Sequence, residues 1–299
     1  ALELSYKPSC LPDALATAMA GYLSKLWANA LADPQASPEE PDFIPAAETE
    51  RILDQWSRRG RTDDWSYPEK NLATLFEETA RAHADRVAIK ADGRSLTYAE
   101  LERASAVLAT RIIKVAGGPG KRIGLLADRS AGAVVALLGA IRAGCAYVPL
   151  DPAHPAERTV FMAKDASLSA ILHPGSLAEA AGNIAAASGV PALLDYDGPE
   201  RNERAELPVP SLDDAAYVIY TSGTTGAPKG CELSHRNVAR LMKARALPFS
   251  FTERDVWSLF HSFCFDFSVW EIWGALLYGG TLAVAGDAER ADPSVFRSF

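Results

Sequence analysis

Short apolar runs alternate along most of the chain with amphipathic stretches whose apolar residues recur every three or four positions. Four of these runs predict buried strands, at 122–127, 145–150, 170–173 and 215–220. The intervening stretches predict helices, at 131–143, 156–165 and 176–188. Because strands and helices alternate, we expect βαβ units and an α/β fold of stacked layers with largely parallel sheets.

The first part of the chain follows a different pattern. Residues 1–6 alternate between apolar and polar side chains, as a half-buried strand does, and Pro12 opens a predicted helix with one apolar face up to Ala30. Residues 32–45 are rich in Pro, Ala, Glu and Asp without periodicity, which predicts a linker. A short helix is expected at 48–56. Taken alone, these residues are also consistent with a helical extension of unknown role.

Composition and charge argue against several classes of protein. The chain has 299 residues, 48% of them hydrophobic, and a formal net charge of −8. The negative charge argues against nonspecific binding to nucleic acid or to an anionic membrane. No run predicts a transmembrane helix, and the first residues lack the pattern of a secretion signal. The four cysteines are scattered, so we predict neither a disulfide framework nor a zinc site, and we expect a cytoplasmic protein.

The segment 217–230 has the composition of a phosphate-binding loop. Its sequence, YVIYTSGTTGAPKG, places hydroxyl side chains, glycines and one lysine directly after a predicted strand. Glycines let backbone N–H groups approach an anion, while the hydroxyls donate hydrogen bonds and the lysine adds positive charge. The order differs from the common G-x-x-x-x-G-K-(S/T) loop, and a solvated turn is the alternative. The predicted phosphate-binding residues are Thr221, Ser222, Gly223, Thr224, Thr225, Gly226 and Lys229.

A second candidate site lies at Asp266, within the apolar segment 261–280. A carboxylate among apolar residues is costly unless it is paired. No cationic residue is close to it in sequence, so the ammonium group of a ligand would serve as its partner. The alternative is that Asp266 caps a helix at 267–278.

Other titratable residues are expected to be structural. Asp151 precedes Pro152 at the end of a strand and is predicted to cap a turn. His83 lies near the C-terminal end of a predicted helix, where the helix dipole favours a cation. His154 and His173 are far in sequence from both candidate sites, and we assign neither of them a role in binding or catalysis.

The stretch YTSGTTGAPKG resembles the phosphate loop of adenylate-forming enzymes, which include acyl-CoA synthetases, luciferases and the adenylation domains of nonribosomal peptide synthetases. Two further stretches, GAIRAGCAYVPLDP and FDFSVWE, resemble the amino-acid-activating branch most closely. The resemblance implies the N-terminal core of an adenylate-forming enzyme, incomplete at the C-terminus. It also implies ATP and Mg²⁺ as cofactors, with the metal ligands beyond the end of the chain.

The same resemblance assigns roles to individual residues. Lys229, Thr221 and Thr224 would act on the phosphates of ATP during adenylate formation. Asp266 would hold the amino group of the substrate amino acid. Phe267 and Trp270 match positions that select the substrate side chain, in a combination similar to pockets for threonine. Phe265 matches an aromatic residue beside the entrance for the carrier-protein arm.

The resemblance further implies a multidomain protein. Residues 1–32 resemble the end of a condensation domain, 33–70 the connecting linker, and 71–299 the N-terminal part of an adenylation domain. The expected partners are that condensation domain and a peptidyl carrier domain bearing phosphopantetheine. The segments that bind adenine and supply the small C-terminal domain are expected beyond Phe299, so the chain alone is not expected to catalyse adenylation. An acyl- or aryl-acid ligase and a non-catalytic docking platform remain as alternatives.

Overall fold

The computed structural model describes residues 5–34, 44–56, 66–91, 93–198, 205–222 and 227–298. The chain divides into two compact units, Ala1–Asp63 and Asp64–Phe299. Most of the strand predicted at 1–6 and most of the predicted linker lie outside the described residues.

The first unit is helical where it is described. Helix α1 spans Asp13–Ala32 and follows Pro12 at its N-cap, as the sequence predicts. Helix α2 spans Ala46–Glu50 and continues into a π-helical turn at Arg51–Trp56. Large apolar side chains of α1 remain exposed, at Leu15, Met19, Leu23, Leu26, Trp27 and Leu31.

The second unit alternates strands and helices in its described part. The strands are β1 (Val87–Ala91), β2 (Arg94–Thr97), β3 (Arg122–Leu126), β4 (Ala146–Leu150), β5 (Ala170–His173), β6 (Leu193–Asp195), β7 (Ala215–Ser222), β8 (Pro228–Ser234), β9 (Val256–Leu259) and β10 (Thr281–Val284). The helices are α3 (Leu72–Ala82), α4 (Tyr98–Ala116), α5 (Ala131–Arg142), α6 (Ala156–Asp165), α7 (Ala178–Ser188), α8 (His235–Lys243), α9 (Phe267–Leu276), α10 (Asp287–Ala291) and α11 (Pro293–Ser298).

The strands form two sheets. The larger sheet has the order β6-β5-β3-β4-β7-β8, and all its pairs are parallel except β7 with β8. The smaller sheet has the order β2-β1-β10-β9, and only the β1–β2 hairpin is antiparallel. The predicted α/β fold with largely parallel sheets is therefore confirmed.

Apolar side chains cover both faces of the larger sheet, as parallel sheets require. One cluster joins alternate residues of the strands to α6 and α7, for example Leu126 and Val148 to Met162 and Ile184. A larger cluster lies on the opposite face and includes residues of α3, α4, α5, α8 and α9 together with strands of the smaller sheet. This arrangement gives the stacked layers.

Local capping signals in the sequence correspond to real caps. Thr97 and Glu100 form a capping box at the start of α4, and this spacing of Thr and Glu is a known sequence signal for a helix start. Ser234 caps α8, and its side chain accepts a hydrogen bond from the N–H of Asn237. Such caps form from residues within one turn, so the sequence alone is sufficient to predict them.

One buried cation was missed by the apolar pattern of α5. Arg142 is 3% exposed, and its guanidinium pairs with Glu77 of α3 at 2.9 Å and Glu102 of α4 at 2.8 Å. It also donates to the hydroxyl of Ser105. Arg142 therefore links α5 to α3 and α4. Because a buried charge is costly when it loses its partners, these contacts favour the packing of the three helices as observed.

Candidate functional site

The described residues of the predicted phosphate loop lie on two paired antiparallel strands, which we call the hairpin. Strand β7 ends at Ser222 and β8 begins at Pro228, with Thr221 paired opposite Lys229. The side chains of Thr221 and Lys229 are both exposed. Residues 223–226, which include Gly223, Thr224, Thr225 and Gly226, lie outside the described residues. The sequence indicated a loop leading into a helix; the structure instead places Lys229 on an antiparallel strand that precedes that helix.

The base of this hairpin depends on a glycine. A Cβ atom at Gly230 would lie 3.0 Å from the ring of Tyr220 on the neighbouring strand. The hydroxyl of Tyr220 donates to Asp165 at 2.6 Å, at the end of α6. The ring therefore packs across β8 only because position 230 has no side chain.

A cavity of about 660 Å³ opens beside the hairpin. Its walls combine residues of β7 and β8 with the segment after β4, the first turn of α6 and residues 262–266. The lining residues are Asp151, His154, Arg158, Tyr217, Ile219, Tyr220, Thr221, Cys231, Leu233, Ser262, Cys264, Phe265 and Asp266. The two candidate sites of the sequence, at Thr221 and Asp266, thus meet in one cavity.

Asp266 occupies the N-cap position of α9, but its side chain forms no capping hydrogen bond. The residue has helical dihedral angles, φ −64° and ψ −23°, whereas a capping side chain normally accompanies an extended backbone. Asp266 is also exposed rather than enclosed by apolar groups, which corrects the expectation from sequence. Its carboxylate is free of helix contacts and faces the cavity.

Residues 260–266, which we call the acid loop, are tied to the end of β4. Asp151 accepts a hydrogen bond from the hydroxyl of Ser262 at 2.8 Å through one carboxylate oxygen. Its other oxygen accepts from the N–H of Ala153 at 2.9 Å, which confirms the predicted turn cap. Asp151 therefore joins its own turn to a loop 111 residues away in sequence.

A second acid holds the acid loop from the helix side. Glu271 of α9 is 8% exposed, and one of its oxygens accepts from the N–H groups of Phe260 and His261, at 3.2 and 3.3 Å. Its other oxygen lies 2.7 Å from Nδ1 of His261. Glu271 was not among the residues predicted from sequence, although a lone acid on the otherwise apolar α9 was an available signal.

The three aromatic candidates lie in different surroundings. Phe265 lines the cavity, is 50% exposed and stacks on Phe267, with ring centroids 5.9 Å apart. Phe267 is 55% exposed and does not line this cavity. Trp270 packs against Phe251 and Trp257 instead. The cavity therefore unites Phe265 with Asp266, and the selection of a side chain by Phe267 and Trp270 stays a prediction.

Two ionisable side chains in the cavity, a thiol and a phenol, have raised pKa values. Burial, reinforced by the charge of Asp151, raises the pKa of the Cys264 thiol to about 12. Burial, reinforced by the charge of Asp266, raises the pKa of Tyr217 to about 12. Both groups therefore stay protonated near neutral pH.

The histidines separate into two kinds. Nδ1 of His173 contacts the carbonyl oxygen of Pro174 at 2.9 Å, and His83 lies beside the ring of Tyr98, as expected of structural residues. His154, however, lines the cavity, and its buried Nδ1 has no hydrogen-bond partner. The sequence placed His154 away from both sites because the turn after β4 meets the hairpin only in the folded chain.

Across the residues that the structure describes, no group of three or more His, Cys, Asp or Glu side chains could hold a metal ion. The helices in the same residues include none with the length and apolar character needed to cross a bilayer.

Residues 76–298 match the family model described as AMP-binding enzyme. The chain belongs to this family. Its relatives include the dimodular nonribosomal peptide synthase of Bacillus subtilis, 35% identical over 306 residues that cover 98% of this chain and 12% of the relative. Syringomycin synthase SyrB1 of Pseudomonas syringae is 38% identical over 78% of this chain and 38% of its own length. The chain thus spans well under half of these relatives.

Solved structures of the family have the same fold. The nonribosomal peptide synthetase FmoA3 bound to alpha-methyl-L-serine-AMP matches with a TM-score of 0.77 and 25% identity, over 97% of this chain and 32% of that one. Its AMPPNP-bound form matches with a TM-score of 0.74 and 27% identity, over 95% and 30% of the two chains. Together with the family match, these nucleotide-bound neighbours support ATP binding by this adenylating ligase family.

Proposed function

We propose that this chain forms the nucleotide-binding and amino-acid-binding side of an enzyme that makes an aminoacyl-adenylate from an amino acid and ATP. The observation that supports this most directly is the exposed carboxylate of Asp266. It accepts no hydrogen bond from its own helix and lines the same cavity as Thr221, the first hydroxyl of the phosphate loop.

The hairpin supplies the phosphate side of the proposed site. In adenylate formation, the carboxylate of the amino acid attacks the α-phosphorus of ATP and pyrophosphate leaves. Lys229 and the hydroxyls of Thr221 and Thr224 stabilise the negative charge of the leaving phosphates. Because strand pairing fixes Thr221 opposite Lys229, the backbone positions of these two residues are set before substrate arrives.

The acid loop supplies the amino-acid side. Asp266 pairs with the α-ammonium group and so places the carboxylate of the substrate toward the phosphates. Phe265 forms the neighbouring part of the wall. Its resemblance to the family position beside the entrance for the carrier arm supports the same role in this proposal. Phe267 and Trp270 contribute to selection of the side chain, and threonine is the proposed amino acid.

The proposal also includes two partner domains and a metal ion. The acyl group passes from the adenylate to the phosphopantetheine thiol of a peptidyl carrier domain, and a condensation domain precedes residues 33–70. One matched structure, holo-PA1221, contains adenylation and carrier domains together, which supports a carrier partner. Mg²⁺ supplies charge neutralisation at the phosphates when it is bound. The described residues hold no acidic cluster for it, so its ligands are proposed to lie elsewhere.

The proposal is tested by ATP–pyrophosphate exchange on the full-length protein with a panel of amino acids. Each is paired with the analogue that lacks the α-amino group. We expect one amino acid, with threonine first in the panel, to support exchange at least about 100-fold better than its des-amino analogue, since a desolvated charge pair contributes several kcal/mol.

Equal rates with the des-amino analogues would indicate an acyl- or aryl-acid ligase instead. The Lys229→Ala variant distinguishes an adenylating enzyme from a non-catalytic docking platform. The enzyme should lose activity when this lysine is removed, whereas the function of a platform should be unchanged. Exchange that is absent with every substrate, in a folded protein, would contradict the proposed activity.

A further inference from the structure

Two of the side chains that line the cavity each have a buried nitrogen without a hydrogen-bond partner. The guanidinium of Arg158 has a buried Nε without a hydrogen-bond partner, and the imidazole of His154 has a buried Nδ1 in the same condition. Within the part of the chain that the structure describes, Arg158 forms no salt bridge. Burial of a polar nitrogen without a hydrogen-bond partner costs free energy, so such a group generally binds water or a ligand.

The two side chains come from one short segment. His154 lies in the turn after β4, and Arg158 is the third residue of α6. Pro155 occupies the N-cap of α6 and provides no side-chain cap. The first turn of a helix leaves backbone N–H groups unpaired and favours negative charge. The turn after β4 therefore adds positive potential to the wall on which both side chains lie.

Acidic groups in the same cavity limit what can bind there. Asp151 is close to this wall, but both of its oxygens already accept hydrogen bonds, from Ala153 and Ser262. Asp266 lies at the other candidate site. Asp151 still contributes its charge, which acts on the neighbouring Cys264 thiol. Arg158 is the one Lys or Arg among the described residues that line the cavity, and with His154 as a second donor it suits a group of acceptor oxygens.

We infer that Arg158 and His154 form an oxyanion subsite that binds the phosphate chain of the nucleotide, or the pyrophosphate that leaves it, next to Thr221. Thr221 lines the same cavity and begins the phosphate loop. The guanidinium offers two parallel N–H groups that match a phosphate edge, and Nδ1–H of His154 adds a third donor. This inference rests on the proposed function and adds two residues to its phosphate side.

The test measures pyrophosphate binding to the 299-residue chain by titration calorimetry without metal. We expect Arg158→Gln to weaken the binding of pyrophosphate about tenfold, as the loss of a hydrogen bond to a charged group does. Arg158→Lys should retain most of the affinity because it keeps the charge. Arg103→Gln serves as the matched control, since Arg103 is exposed on α4 and does not line the cavity.

His154→Asn gives an independent measurement if Arg158→Gln fails to fold, as judged by its thermal unfolding. We expect a loss of about threefold from this variant, since a neutral hydrogen bond contributes less than a charged one. An unchanged affinity in both variants, or an equal loss in Arg103→Gln, would overturn the subsite. So would a loss confined to amino-acid binding, which would assign Arg158 to the substrate carboxylate.

The outcome for the subsite is separate from the outcome for the proposed function. Pyrophosphate binding is measured without an amino acid, so it does not depend on the amino-acid side of the site. Failure of amino-acid-dependent exchange would remove the activity and leave the binding result standing. Failure of the Arg158 and His154 variants to weaken binding would remove the subsite while the exchange reaction persists.

Discussion

The β7–β8 hairpin and the acid loop meet in one cavity, yet they are held in place by different means. The hairpin is fixed by backbone pairing between neighbouring strands, with Thr221 opposite Lys229. The acid loop has no such pairing and is held by two carboxylates, Asp151 from the end of β4 and Glu271 from α9. Substitution of single side chains should therefore disturb the amino-acid side much more than the phosphate side.

The largest expected effect is at Glu271. Glu271→Ala removes the acceptor of two backbone N–H groups and of the His261 ring at once. We expect the free energy of unfolding to fall by about 4 kcal/mol, since orphaned buried donors and a broken pair each cost several kcal/mol. Chemical denaturation measures this, with Glu232→Ala on the exposed outer strand β8 as the control. A loss below about 1 kcal/mol, the size of a surface pair, would show that the acid loop is held by other contacts.

The second-largest expected effect is a loss of stability at low pH, and it arises next to the hairpin. His235 begins α8 directly after β8, is fully buried, and accepts a hydrogen bond from the N–H of Leu72 at 3.3 Å. Burial lowers its pKa from 6.5 to about 4. Between these values the unfolded chain binds a proton that the folded chain does not. Stability should therefore fall by about 3 kcal/mol as the pH drops through this window.

The matched variant is His235→Asn, because the amide oxygen of asparagine can accept the same hydrogen bond without titrating. Unfolding is followed in denaturant at several pH values from about 7 to about 4, the span of the shifted window. The wild-type chain should lose about 3 kcal/mol more than the variant over this range. Parallel curves would show that His235 contributes nothing to the acid sensitivity of the hairpin.

The third prediction separates function from stability on the amino-acid side. Asp266→Asn should lower kcat/KM for the amino acid in the exchange reaction about 100-fold, because the amide cannot pair with the α-ammonium group. The unfolding free energy should stay within about 0.5 kcal/mol, since the exposed carboxylate forms no capping bond. Asp255→Asn, directly before β9, tests whether any loss of a nearby acid has the same effect on exchange. A stability loss without a kinetic loss would assign Asp266 to the helix.

The same contrast explains what the sequence could predict. Strands β3, β4, β5 and β7 depend on residues close together in the chain, and the sequence predicts all four of them. Strand β8 was missed because its sequence, PKGCELS, has weak strand character of its own and is a strand only through pairing with β7.

The acid loop shows the other limit. Asp266 was found because a carboxylate beside apolar residues is unusual. Its supports were not found, since the contact from Asp151 to Ser262 joins residues 111 positions apart. His154 and Arg158 were not among the predicted residues for the same reason, because they line the cavity beside the hairpin only in the folded chain. Sequence pattern thus identifies the groups that would touch a ligand more readily than the groups that position them.

The smallest expected effect lies at the far end of α9 from Asp266. Nζ of Lys243 donates to the carbonyl oxygen of Leu277 at 2.6 Å and lies 3.4 Å from the centre of the Tyr278 ring. Burial lowers the pKa of Lys243 to about 8, and the ring opposes this shift because it favours the cation. Between about pH 8 and 10.5 the unfolded chain binds the extra proton, so stability should rise with pH there.

The measurement is the unfolding free energy of wild type relative to Lys243→Met at about pH 7 and about pH 10, on either side of the shifted value. We expect this difference to shift in favour of wild type by about 1 kcal/mol, a value reduced for partial exposure of the side chain. Lys164→Met, at an exposed lysine of α6, should show no such shift. A difference that is constant with pH would mean that Lys243 is charged in the folded chain throughout this range. The charged side chain of Lys243 would then stabilise the C-terminal end of α9, just as the carboxylates of Asp151 and Glu271 stabilise the acid loop before its N-terminal end.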